Sequence, residues 1–129
     1  MEHRRRILVV DDDERVRYVL TNALRRLGND YEVVSSGSCR EALAQAQERS
    51  FDLLITDLRL PRSDGLALTS AIAKVSPETR VVWMTAHGCY HYRDSAHRLD
   101  VIQCLDKPLE IQAIRQAALD ALSHGRSRK

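Results

Sequence analysis

The sequence predicts an α/β fold, a doubly wound parallel sheet of five strands with five helices, and three observations carry that expectation. Five short apolar runs recur along the chain: Ile7-Leu8-Val9-Val10, Tyr31-Glu32-Val33-Val34, Leu53-Leu54-Ile55, Val81-Val82-Trp83-Met84 and Val101-Ile102-Gln103-Cys104-Leu105. Several are continuous rather than alternating, as strands covered on both faces should be. Helical patterns lie between the runs, and strands alternating with helices imply parallel βαβ units with right-handed crossovers.

The helices follow in order. Val16, Leu20, Ala23, Leu24 and Leu27 recur at helical spacing, and Gly28 closes that segment. Ser38-x-x-Glu41 has the form of a capping box and precedes Ala42, Leu43 and Ala46. Leu68, Ala71, Ile72 and Val75 make a third stripe, ended by Pro77. Ile111, Ile114, Ala118 and Leu122 make the last, opened just after Pro108. Between Tyr90 and Leu99 the polar and aromatic residues show no clean stripe, so the fourth helix has the weakest pattern.

Ten elements use up 129 residues. A single domain over residues 1–129 is therefore expected, with a core at about 5–123, a basic C-terminal tail at 124–129 and no separate output domain. Hydrophobic residues make up 43% of the chain, enough for a real core, and the net charge of +2 does not mark a nucleic-acid binder. Basic residues cluster in His3-Arg4-Arg5-Arg6 and Arg126-Ser127-Arg128-Lys129, which read as solvated tails. No apolar stretch approaches the ~20 residues of a membrane span, and the run at Ile7–Val10 is too short for a signal peptide. Cys39, Cys89 and Cys104 are odd in number and scattered, which suits reduced thiols in the cytoplasm.

The chemistry gathers where the runs end. The first ends in Asp11-Asp12-Asp13, the third in Thr56-Asp57, the fourth in Thr85 and the fifth in Asp106-Lys107-Pro108. In a parallel sheet these residues emerge at one carboxyl edge, where such folds bind ligands. Packed carboxylates repel, and hard oxygen donors of this kind suit Mg²⁺, completed by waters and phosphate. A carboxylate beside Mg²⁺ can attack phosphorus, while a threonine hydroxyl and a lysine contact the phosphoryl oxygens. Helix capping alone would use one aspartate, Asp13 by position, and would leave Asp57 and Lys107 unexplained.

In this order and at these positions, Ile7–Asp13, Leu54-Ile55-Thr56-Asp57-Leu58-Arg59-Leu60-Pro61, Asp64-Gly65, Met84-Thr85-Ala86 and Asp106-Lys107-Pro108 resemble the receiver domain of two-component response regulators. The stretch from Asp57 through Leu68 to His87 is most similar to the nitrogen-regulator class, whose members usually add ATPase and DNA-binding domains. The resemblance implies a flavodoxin-like strand order of 2-1-3-4-5. It implies Asp57 as phosphoacceptor, Asp12 as a direct Mg²⁺ ligand, Asp11 acting through water and the Arg59 backbone carbonyl as a further ligand. It implies that Thr85 and Lys107 contact the phosphoryl group and that Lys107-Pro108 is cis. The donor would be a sensor histidine kinase or a phosphotransfer protein, and signalling would pass to an unknown downstream protein. No direct DNA contact and no membrane contact are expected, and the chain would be a signalling domain rather than an enzyme, though taking part in its own phosphorylation and dephosphorylation.

One position departs from the family. Three residues before the lysine, where a tyrosine or phenylalanine ring usually moves on activation, this chain has Cys104. Its expected role is packing, with redox sensing as the alternative. The alternative reading of the whole chain is an interaction module that keeps the fold without phosphorylation. A haloacid-dehalogenase-like phosphatase is disfavoured, because the second aspartate of that family falls where this chain has Arg59. His87-Gly88-Cys89-Tyr90-His91 offers three possible metal ligands but no evident fourth.

Overall fold

The computed structural model describes residues 4–60 and 63–123. Five parallel strands form the sheet: β1 (Arg5–Val10), β2 (Tyr31–Ser36), β3 (Leu53–Asp57), β4 (Arg80–Thr85) and β5 (Gln103–Asp106). Their spatial order is β2-β1-β3-β4-β5, as the resemblance implies. The helices are α1 (Glu14–Arg25), α2 (Cys39–Glu48), α3 (Gly65–Val75), α4 (Arg93–Arg98) and α5 (Ile111–Ser123), with a 3₁₀ turn at Cys89–Tyr92 leading into α4. A two-residue antiparallel ribbon, Arg59–Leu60 with Ser63–Asp64, follows β3.

Alternation inside the continuous runs divides the core. Ile7, Val9, Leu53, Ile55, Val82 and Met84 face one side and pack with α1 and α5. Leu8, Val10, Leu54, Val81 and Trp83 face the other and pack with α2 and α3. Every residue of β3 is buried, as the centre of a doubly wound sheet demands. The fully buried Trp83 satisfies its indole by donating Nε1–H to Thr69 Oγ1 at 2.9 Å, and Thr69 donates to the Gly65 carbonyl at 2.7 Å.

Helix ends explain most boundaries. Asp13, Ser38 and Asp64 cap α1, α2 and α3 by accepting from the N–H groups of Arg15, Glu41 and Ala67. The capping box at α2 forms only on one side: Ser38 accepts from Glu41 N–H, but the Glu41 carboxylate takes the Ser36 hydroxyl instead. After α1 the chain turns through Leu27 to Gly28, whose φ of 147° disfavours any residue with a Cβ. Two arginines cross-tie α5: Arg115 Nε donates to the Ala23 carbonyl at 3.2 Å, and Arg5 Nη1 to the Leu122 carbonyl at 2.8 Å.

Two expectations are corrected here. The N-terminal basic cluster is no tail, since Arg5 and Arg6 open β1. The Arg6 guanidinium lies 4.1 Å from the centre of the Phe51 ring and donates to the Glu32 carboxylate and to the carbonyls of Arg49 and Ser50. His3, Pro61 and the tail at 124–129 lie outside the described residues. The cysteines are not all reduced: Cys89 and Cys104 form a disulfide, with Cα atoms 5.8 Å apart. The loop after β4 folds back over the edge strand β5 and brings together two residues 15 apart in sequence. Parity and spacing could not show that approach.

Candidate functional site

The carboxyl edge gathers the expected residues. Asp11 follows β1 and is fully buried; Asp57 ends β3 and is 6% exposed; Thr85 ends β4 and is buried. Asp12 is exposed beside them. One carboxylate oxygen from each of Asp11, Asp12 and Asp57 lies within 4.8 Å of the other two. Between two of them sits the Lys107 ammonium, 2.8 Å from Asp11 Oδ2 and 2.7 Å from Asp57 Oδ2.

The backbone fixes the other oxygens. Asp11 Oδ1 accepts from Asp13 N–H at 2.9 Å, and Asp57 Oδ1 accepts from Arg59 N–H at 3.0 Å. Each carboxylate thus has one oxygen held by main chain and one held only by a side chain. Lys107 is positioned by its own N–H, which donates to the Thr85 carbonyl at 2.8 Å, and its peptide bond to Pro108 is cis. Thr85 Oγ1 accepts from His87 N–H at 3.0 Å, so its hydroxyl hydrogen remains available to an incoming oxygen.

The charges respond to this crowding. Burial raises the Asp11 carboxyl above its ordinary value, with the Asp57 charge adding to the effect and the Lys107 and Asp13 hydrogen bonds opposing it. Burial alone would lower the Lys107 ammonium, but its hydrogen bonds to Asp11 and Asp57 and their charges raise it. Two of the three clustered carboxylates share one ammonium and Asp12 adds a further negative charge, and hard oxygen donors in deficit of positive charge fit a small divalent cation. A cleft of about 600 Å³ opens beside Lys107, lined by Val16, Val19, Leu20, Pro108, Leu109 and Ile111.

The site residues singled out in the sequence therefore converge, except that Cys104 and the His87–His91 segment belong to a different structure. Cys104 lies three residues before Lys107 and is bonded to Cys89, which removes the Cys89 thiolate from any metal set. Two contributors carried no role in the sequence reading. Asp106 Oδ1 accepts from Cys89 N–H at 2.8 Å and so anchors the loop after β4. Gly65 abuts the main chain of Asp57 and Leu58, where a Cβ would collide with the Asp57 carbonyl oxygen. Its place directly after Asp64 was the available signal.

This topology and edge define a receiver-type α/β domain. The chain belongs to the response regulator receiver domain family, whose model matches residues 7–119. It is 37% identical over 116 residues, 90% of this chain and 26% of the relative, to the transcriptional regulatory protein GlrR of Escherichia coli K12. It is 35% identical over 118 residues, 92% of this chain and 25% of the relative, to the DNA-binding transcriptional regulator NtrC of Salmonella typhimurium. The chain thus spans about a quarter of the length of the curated relatives it matches. Among solved structures it is similar to a response regulator protein from Burkholderia pseudomallei with a phosphorylated aspartic acid, calcium ion and citrate. That match has a TM-score of 0.80 at 28% identity and covers 95% of this chain and 69% of the other.

Proposed function

We propose that this chain accepts a phosphoryl group on Asp57, from a phosphohistidine of a sensor kinase or phosphotransfer protein, in a Mg²⁺-dependent reaction in the cytoplasm. The observation that carries the reading is the Lys107 ammonium held between Asp11 and Asp57 beside the exposed Asp12. The phosphorylated aspartic acid of the similar Burkholderia protein supports it.

Asp57 Oδ2 is the nucleophile. Its partner oxygen is held by Arg59 N–H, whereas Oδ2 is held by a lysine side chain that can move. Oδ2 attacks phosphorus, the P–N bond breaks, and the electron pair leaves on the imidazole nitrogen of the donor. Lys107 and the Thr85 hydroxyl follow the transferring group and pair with its oxygens. A magnesium ion held by Asp11, Asp12, Asp57 and the Arg59 carbonyl would supply charge neutralisation for that transfer. The chain acts here as a signalling domain, with water completing turnover by hydrolysing the aspartyl phosphate. Exposed Val19 and Ile111 lining the apolar cleft suit a protein donor.

The test is incubation with a small phosphodonor and Mg²⁺, read by intact-mass spectrometry. Wild type should gain one phosphoryl group, and Asp57→Asn or removal of the metal should prevent it. Labelling of Asp57→Asn at the wild-type rate would overturn the assignment and leave the fold as an interaction module.

A further inference from the structure

The pair Cys89–Cys104 occupies a position that the phosphoacceptor reading does not use. Cys104 stands on β5 opposite Trp83, three residues before Lys107. Cys89 begins the 3₁₀ turn, four residues after Thr85. The disulfide therefore closes a ring of chain that leaves the sheet beside one phosphoryl-contacting residue and returns just before the other.

The segment inside that ring is lightly held. Neither the 3₁₀ turn nor α4 contains a fully buried residue. Tyr92, Ala96, Leu99 and Val101 are only partly buried against the core. At its start the ring is tied to β5 by the bond from Cys89 N–H to Asp106, and near its end to β4 by Ile102 N–H donating to the Val81 carbonyl. Segments with few buried contacts open at low free energy, and a covalent cross-link removes most of the open forms. Both cysteines are half-buried, within reach of a small thiol. Cys39 is set apart, buried under α2 with Sγ 3.6 Å from the Asp64 carbonyl oxygen.

We propose that Cys89 and Cys104 form a reversible thiol–disulfide switch. Oxidation clamps residues 86–102 to β5, and reduction frees them to respond to phosphorylation of Asp57. The second half rests on the phosphoacceptor reading. In a reducing compartment a disulfide is transient or redox-sensing, which fits a half-buried bond between a surface turn and an edge strand. The chemistry is exchange with a small disulfide of the glutathione class. The Cys89 thiolate attacks one sulfur of that disulfide, breaking its S–S bond and releasing one small thiolate. The Cys104 thiolate then attacks the Cys89 sulfur of the mixed disulfide and releases the second. Two protein thiols are oxidised, one small disulfide is reduced to two thiols, and the two protons pass to the released thiolates.

The experiment equilibrates the folded, full chain in glutathione buffers of graded ratio, alkylates the thiols and measures hydrogen–deuterium exchange in parallel. Cys89 and Cys104 should become alkylated together and reversibly as the buffer becomes reducing. Amides of residues 86–102 should exchange at least about tenfold faster in the reduced form, with α1 and α5 unchanged. Cys89→Ser and Cys104→Ala should each hold that segment in the fast-exchanging state in every buffer, and agreement between the two separates loss of the bond from damage at either position. Equal exchange in both forms, or thiols that stay alkylated together at every ratio, would overturn the switch. Beryllofluoride with Mg²⁺ then serves as the phosphoryl mimic, read by backbone amide shifts. Shifts at Asp57 and Lys107 in both forms, spreading into residues 86–102 only when reduced, support the gate, and equal spread refutes it. Absence of shifts at Asp57 in both forms refutes the phosphoacceptor reading and with it the gate, while the exchange data still decide the switch.

Discussion

The carbonyl oxygen of Asp57 and the Cα of Gly65 are so close that no Cβ fits between them. The same Gly65 donates its N–H to the Leu58 carbonyl at 3.0 Å, so the strand end bearing Asp57 and the start of α3 are seated against each other. Gly65→Ala must displace main chain, not a flexible side chain. We expect a loss of about 1–3 kcal/mol in denaturant unfolding, the usual range for overpacking. Phosphodonor labelling of Asp57 should slow as well, and a variant that labels and unfolds like wild type would separate Gly65 from the site.

Asp12 gives a cleaner view of the cation site. It is exposed, so Asp12→Asn should change metal-free stability by no more than about 0.5 kcal/mol. Added Mg²⁺ should raise the wild-type Tm in proportion to binding, and the variant should need on the order of tenfold more metal for the same rise. Equal Mg²⁺ titrations would remove Asp12 from the ligand set.

The pH dependence follows from Lys107. Its folded-state pKa is raised above the ordinary 10.5, so the stability it contributes is fully present below about pH 10.5. That contribution is lost as pH rises through the higher folded value. Lys107→Met should cost about 2 kcal/mol at neutral pH without divalent metal, because Asp11 and Asp57 lose their shared cation. The gap between variant and wild type should close above pH 10.5, and a gap constant through that range would contradict the ion pairing.

Thr69→Val tests the core beneath the site. It leaves the fully buried Trp83 indole N–H unpaired and should destabilise by about 1–3 kcal/mol. Because Trp83 is the sole tryptophan, its fluorescence reports the change directly. An unshifted spectrum with unchanged stability would show that the hydroxyl is not the indole's necessary partner.

The contrast between Asp57 and Cys104 shows what the sequence could carry. Asp57 was legible because a strand end places its residue at the sheet's carboxyl edge whatever the loops do, and Asp11, Thr85 and Lys107 follow the same rule. Cys104 was legible as a strand residue, but its partner sits in a loop whose course depends on weak packing of Tyr92, Ala96 and Leu99. The same limit hid the full extent of β1. Arg5 and Arg6 are charged and terminal, and only the Phe51 ring, Glu32 and nearby carbonyls make them strand residues. Glu41 was legible as a cap but not as a partner for Ser36, because that hydroxyl reaches it only after β2 and α2 are placed.

The arginine ties on α5 divide the domain mechanically. Arg115 bolts α5 to α1, and Arg5 bolts its far end to the first strand, so α5 is fastened at two points on that side of the sheet. The opposite side ends in a short helix with nothing fully buried. A push originating at the carboxyl edge takes the path of least resistance. On the proposed switch, opening the Cys89–Cys104 bond makes residues 89–99 the compliant corner of the domain, with α1 and α5 left as a fixed reference for its displacement.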